Sequence, residues 1–349
     1  MENPEPRLQG PKRQHYLPRM YLKGFSTDGG LAVFDRFTGD MRRQTVENTA
    51  VEKHIYTFED GHGRRRFEIE EMLSKIESQL SHAIPRFEKA EGYSIADIDC
   101  LLSFIAFAEL RTPAALADAK RVKASFIDTW SQVMIESPER VAKTLAAMYR
   151  ERGENHTPDQ LQADTEKLVK FIREREYDIV VHDQAALIDC IRLWKPLVDG
   201  LLRKDLLIIK PVDPDSRYIT CDSPVVLESM ADGEIVGFGS DDAIVLFPLT
   251  SRCLISLRGN GSRVGVGLAR PEQVERVNEM IARSSDRYIM GDVETTLASL
   301  VERLGLAKTT RAPKYVTGKI PTENGVTGFV RRVFPHREPP TSLEPDESE

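Results

Sequence analysis

The chain has 349 residues, 40% of them hydrophobic and 30% charged, and a formal net charge of −7. That balance suits a globular protein with a sizeable core and argues against a surface that binds nucleic acid over its whole extent. No window holds the ~20 uninterrupted apolar residues of a spanning helix. The polar first residues carry no apolar signal-peptide run, and Cys100, Cys190, Cys221 and Cys253 lie apart without CxxC spacing, so a reducing cytoplasm and no membrane contact are expected.

Residues 1–13 read as a disordered leader. Pro18 suits the first turn of a short helix running to Gly24, because its missing N–H is not needed there. Leu31 to Asp35 and Met41 to Thr45 read as a hairpin, and Ile55 to Phe58 and Arg65 to Glu68 as a second one around Asp60 and Gly63. Ile69, Met72, Leu73, Ile76, Leu80, Ala83 and Ile84 recur at helical spacing, with Pro85 expected to kink or end that helix. Ser94 with Asp97 three residues on resembles a capping box, and the helix it opens, to Arg111, is apolar nearly all round and therefore central. Further helices are predicted at 114–136, 138–152, 158–176 and 183–202.

From Asp205 the period changes. Short β-rich runs around Leu206–Ile209, Tyr218–Thr220, Val225–Leu227, Ile244–Phe247 and Cys253–Leu257 are followed by helices at 271–285 and 293–304. The glycine-rich run from Gly259 to Gly267 reads as a hairpin, since it lacks the lysine and spacing of a phosphate loop. The expected class is α+β: a mixed, mostly antiparallel sheet from the N-terminal hairpins and the 205–258 strands, packed against the helical middle. The expected organisation is a single domain over 14–310, with the helical middle 68–202 inserted between strand regions, and an extended or disordered tail over 311–349.

The densest polar-aromatic stretch runs from Gln14 to Ser26 and holds His15, Tyr16, Arg19 and Tyr21. Its His15-Tyr16-Leu17-Pro18 start and Tyr21-Leu22-Lys23-Gly24-Phe25 end resemble the N-terminal signature of the bacterial domain of unknown function 4238 family. The resemblance continues in Arg111-Thr112-Pro113, in Thr220-Cys221-Asp222-Ser223-Pro224, in Phe247-Pro248-Leu249-Thr250, and in Asn278 and Arg287-Tyr288. It implies an architecture and no reaction, because the family has no established activity.

The candidate chemistry is carried by few residues. His15 can serve as base, proton shuttle or metal ligand near neutral pH, or can be a packed histidine. Tyr16 and Tyr21 lie five apart, so one is expected to pack and the other to point outward. Glu109 falls on the apolar stripe of its helix, where a carboxylate needs a partner. Glu77 is the natural partner of Arg111 if their helices pack antiparallel. Asp222 sits in a turn at a strand end before Pro224, where such residues commonly bond their own backbone.

If the two ends of the chain meet, His15, Glu77 and Asp222 form a catalytic group, with Arg19, Arg111 and Tyr16 binding substrate. The cofactor is not specified by the sequence, and a divalent metal held by Glu77 and Asp222 is one option. That set suits a nuclease-like or other phosphodiester hydrolase acting on nucleic acid or another anionic substrate, in the manner of a toxin or phage-defence effector. The alternative is a non-catalytic protein that binds a protein partner and uses the same residues structurally.

Overall fold

The computed structural model describes residues 10–60, 62–175, 177–230 and 236–311, together with the backbone of 314–322 and 325–333. Among them the elements run, in chain order, β1 (Arg13–His15), α1 (Arg19–Leu22), β2 (Gly30–Asp35), β3 (Met41–Thr45), β4 (Val51–Lys53), β5 (Phe58–Glu59) and β6 (Arg65–Arg66). The helical middle follows as α2 (Glu68–Lys89), α3 (Ile95–Leu110), α4 (Pro113–Met134), α5 (Pro138–Arg152), α6 (Pro158–Glu174) and α7 (Asp183–Leu201). Then come β7 (Asp205–Pro211), β8 (Thr220–Cys221), β9 (Val226–Ser229), β10 (Ala243–Thr250), β11 (Cys253–Arg258), β12 (Val264–Ala269), α8 (Pro271–Ser284), β13 (Tyr288–Gly291), α9 (Glu294–Arg303), β14 (Lys314–Thr322) and β15 (Gly325–Val333). The fold is α+β with mostly antiparallel sheets.

The chain divides into two compact units. The first holds residues 1–117, 187–313 and 334–349, and the second holds 118–186 and 314–333. Residues 1–9 and 334–349, which include most of the expected leader and the end of the expected tail, lie outside the described residues. Arg13, read as leader, already belongs to β1, and Lys12 accepts a bond from the His54 N–H. Within the expected tail, β14 and β15 pair antiparallel.

In the first unit the strands divide between two principal sheets. One has the order β12-β7-β11-β10-β9, with β12 parallel to β7 and the other pairs antiparallel; the second has the order β3-β2-β13-β8 and is antiparallel throughout. The inner strands of both sheets are covered on two faces. Leu31, Val33, Leu206, Ile208, Phe247 and Ile255 point into a core shared with α2 and α3, whereas Ala32, Phe34, Leu246, Leu254 and Ile289 point into one shared with α8 and α9. Double coverage is why these strands read as near-continuous apolar runs.

Local signals explain the helix ends. Ser94 and Asp97 form the capping box of α3, and Leu101, Leu102, Phe104, Ile105, Ala106, Phe107 and Ala108 are all buried. Pro85 neither ends nor breaks α2, contrary to the sequence expectation. The helix runs four residues further and closes on Ala90 in the left-handed region (φ 60°). Leu80 and Ala83 before the proline and Phe87 after it are fully buried, and that packing offsets the one hydrogen bond a proline removes. Glu109, expected on a buried stripe, is only half-buried, in the last turn of the helix.

The second unit holds a smaller core around Ile135, Val141 and Val169. There α6 starts with a Thr157–Gln160 capping box and Pro158, as its sequence predicts, and Tyr149 donates to Asp164 at 2.7 Å. No single helix among the described residues is long and apolar enough to cross a membrane.

The N-terminal signature is folded into the first core. Tyr21 is buried, and so is Tyr16, so neither ring points outward as the five-residue spacing suggested. Tyr21 stacks on Phe247 at 5.3 Å and meets Phe25 and Phe104 at 5.2 and 5.9 Å. Its hydroxyl donates to the Pro248 carbonyl on β10 at 2.8 Å and shares a 2.7 Å bond with Thr220 Oγ1 on β8. Gly24 is a glycine because a Cβ there would lie 2.9 Å from Thr250 Cγ2, and its carbonyl accepts the Ser251 N–H. Tyr21→Phe leaves the Pro248 carbonyl buried and unpaired, so it is expected to cost about 1–3 kcal/mol. A lower urea midpoint at unchanged m-value would register that loss.

Candidate functional site

His15 ends β1, whose register with β4 sets Gln14 opposite Glu52 and His15 opposite Val51. Alternation sends successive side chains to opposite faces. Gln14 is buried, accepts the Tyr56 N–H at 2.9 Å and donates to Thr57. His15 on the other side lines a cavity of about 330 Å³ together with Pro18, Arg19, Met20 and, from α2, Glu70, Leu73, Ser74, Glu77, Ser78 and Ser81. Its Nε2 is shielded from solvent and has no hydrogen-bond partner. Burial first, then the positive charges of Arg19 and Arg13, hold its pKa below the usual 6.5, while the Glu47 and Val46 backbone acts the other way. A neutral imidazole therefore prevails at pH 7.

Arg111 caps the end of α3 and is only 3% exposed. Its Nη1 donates to Glu77 Oε1 at 2.7 Å, which is the pairing expected for these two helices. Its guanidinium lies 5.5 Å from the Phe104 ring centre, and its backbone carbonyl accepts the Tyr56 hydroxyl at 2.9 Å. Nε and Nη2, the two nitrogens of a planar fork suited to an oxyanion, are buried without a partner. Arg19 is exposed at the cavity.

Three candidates do not line the cavity: Arg111, which meets the lining residue Glu77, and Tyr16 and Asp222, which belong elsewhere. Tyr16 is packed in the core and does not line the cavity. Asp222 is 5% exposed and its oxygens accept three backbone N–H groups: Asp286 at 2.9 Å, Arg287 at 2.8 Å and Tyr288 at 3.1 Å. It bonds distant backbone and not its own turn, and it is absent from the cavity lining. Glu77 and Asp222 thus do not share a metal site: one carboxylate faces the cavity and the other is consumed in fixing β8 to β13. Among the described residues no group of three or more His, Cys, Asp or Glu side chains is placed to hold a metal ion.

The sequence reading also missed part of the wall. Glu70, Ser74, Glu77, Ser78 and Ser81 recur every three or four residues, so they share one face of α2 beside its apolar stripe. Such a face ordinarily meets bulk water; here the segment from His15 to Met20 stands across from it. Three hydroxyls and two carboxylates on one stripe were the signal available.

Asp222 gives the pH-dependent expectation for this region. Burial and the neighbouring Asp286 push its carboxyl from 3.8 up to about 6, against the three N–H donors. The folded chain therefore keeps a proton that the unfolded chain releases. The stability so contributed is full below pH 3.8 and is lost as pH rises through about 6. Asp222→Ala strands the three donors at about 1 kcal/mol or more each. Urea midpoints are expected to show a larger cost at pH 5 than at pH 7.5.

No curated protein and no solved structure matches the chain. A family model described as "Protein of unknown function (DUF4238)" matches residues 13–295, a span that takes in β1, the cavity-lining face of α2, Arg111 and the Asp222 turn. With most of its length inside that match, the chain belongs to the DUF4238 family.

Proposed function

We propose that the cavity beside His15 is the active site of a hydrolase that cleaves an anionic, phosphodiester-type substrate, in the manner of a nuclease. One observation carries this reading: the imidazole Nε2 of His15 and the Nε and Nη2 of Arg111 are buried polar groups without partners, at the cavity and at the Glu77 that lines it. Leaving such groups unmade costs about 1–3 kcal/mol each, and a substrate that completes them recovers that cost on binding.

In the proposed reaction His15 takes the proton of a water whose oxygen attacks phosphorus. The ester P–O bond breaks, and the imidazolium returns a proton to the departing oxygen. Arg19, which lines the cavity, holds the non-bridging oxygens, and Arg111, which adjoins the cavity through its bond to Glu77, adds its positive charge beside them. The lowered pKa keeps His15 in its proton-accepting form at neutral pH.

A second reading, binding without catalysis, draws support from Tyr21 and Asp222, signature residues whose polar atoms are fully engaged in the fold. Labelled RNA and DNA incubated with the purified protein, with Mg²⁺ or Mn²⁺ and with a chelator, separates the two. Cleavage that His15→Ala lowers by about 10²-fold or more at unchanged melting temperature supports catalysis. Intact substrate throughout removes the nuclease reading. The acid limb of the rate profile is expected below pH 6.5 and should move upward in Arg19→Ala, since that cation depresses the imidazole.

A further inference from the structure

The glycine-rich run from Gly259 to Gly267 is not a hairpin. Gly261 rounds the start of β7, where a Cβ would lie 2.4 Å from Asp205 Oδ1. Ser262 then bonds the Arg203 backbone, and β12 continues parallel to β7 as the outer strand of its sheet. Gly265 and Gly267 pair in register with Leu207 and Ile209, and a Cβ on Gly265 would touch Leu207 at 2.9 Å. The other three positions are apolar and exposed: Val264 by 42%, Val266 by 54% and Leu268 by 66%.

The same three residues direct their backbone outward. Arg263 and Ala269 give their carbonyls to Leu206 and Val212 on the β7 side. By alternation residues 263, 265, 267 and 269 bond inward, and Val264, Val266 and Leu268 hold N–H and C=O groups at an edge that no described strand pairs. Natural sheets usually guard such an edge with charge, proline or a bulge, and none interrupts residues 264–268.

We propose that β12 pairs antiparallel with β12 of a second copy of this chain, about a two-fold axis through Val266. The strand is self-complementary about that residue. Val266 meets Val266, Val264 meets Leu268 of the partner, and Gly265 meets Gly267 of the partner. Every exposed apolar side chain thereby gains an apolar neighbour and every outward backbone group a partner. No like charges stand opposite each other, because Arg263 falls across from Ala269, and Arg263 is already neutralised by Asp205 at 2.8 Å. An isologous contact of this kind closes on itself and yields a dimer with one continuous ten-stranded sheet, not a fibre. A short strand pair buries less than the ~1,200 Å² of a standard stable interface, so the association should depend on concentration.

Sedimentation velocity on the full chain across a concentration series tests this. A monomer–dimer equilibrium is expected for the unaltered protein and for Val180→Lys, a control at another exposed valine. Val266→Lys should remain monomeric with unchanged circular dichroism and melting temperature. The axis also places residue 266 opposite itself as a hydrogen-bonded pair, at a Cα separation of ~5.5 Å that a disulfide accepts. Val266→Cys should therefore cross-link to a dimer on mild oxidation. A monomer at every concentration, a dimer that survives Val266→Lys, or a Val266→Cys variant that stays uncross-linked would each overturn the proposal.

Discussion

A single buried hydroxyl joins the two sheets. Tyr21 reaches from α1 to Thr220 on β8 and to Pro248 on β10, one strand from each sheet, while Phe25, Phe104 and Phe247 hold its ring. A phenol with both partners met in a water-free core permits one placement of the segment that carries it. That placement positions Pro18 and Arg19 immediately upstream, and with them the wall of the cavity that faces α2. The geometry of the candidate site therefore follows from a contact that takes no part in its chemistry.

On the far side of the sheets a second set of polar anchors does comparable work. Asn278 on α8 accepts the Ile219 N–H at 3.0 Å and donates to the Arg217 carbonyl at 2.8 Å, tying helix to strand. Arg287 forks onto Asp35 with contacts of 2.8 to 3.1 Å, and Arg36 reaches the Ser285 carbonyl at 2.6 Å. Asp222 collects three consecutive N–H groups in the same region. Buried polar groups of this kind are costly unless they are hydrogen-bonded, and here they are met by backbone and, for Arg287, by the Asp35 carboxylate, far away in sequence. His15 Nε2 and the Arg111 Nε and Nη2 lack such partners, as does the Tyr218 hydroxyl within the scaffold, so what marks the first two is their place at or beside the cavity.

Helix existence and type were legible because amphipathic period and capping chemistry are local. Ser94 with Asp97 and Thr157 with Gln160 cap the helices they precede. The Glu77–Arg111 ion pair could be anticipated from helical faces alone, since two apolar stripes that pack antiparallel bring their flanking charges together. Pro85 misled because the rule it follows is local while the burial of Leu80, Ala83 and Phe87 that overrides it is not. The β12 strand was hidden for a similar reason. Alternating glycines lower strand propensity, and only contact with Leu207 and Ile209 shows why they are needed.

The sequence by itself determined the α+β class, the order of helical and strand regions, and the membership in a family marked by the His15–Phe25 stretch. Those properties rest on period, propensity and motif, which are written within a few residues. The tertiary structure decided which signature residues hold the scaffold and which face the cavity. It buried Tyr16, gave Asp222 to the backbone at Asp286–Tyr288, and set the polar face of α2 against His15. Hydrogen-bond satisfaction in a dry core depends on groups dozens or hundreds of residues apart, and no local pattern encodes that distance.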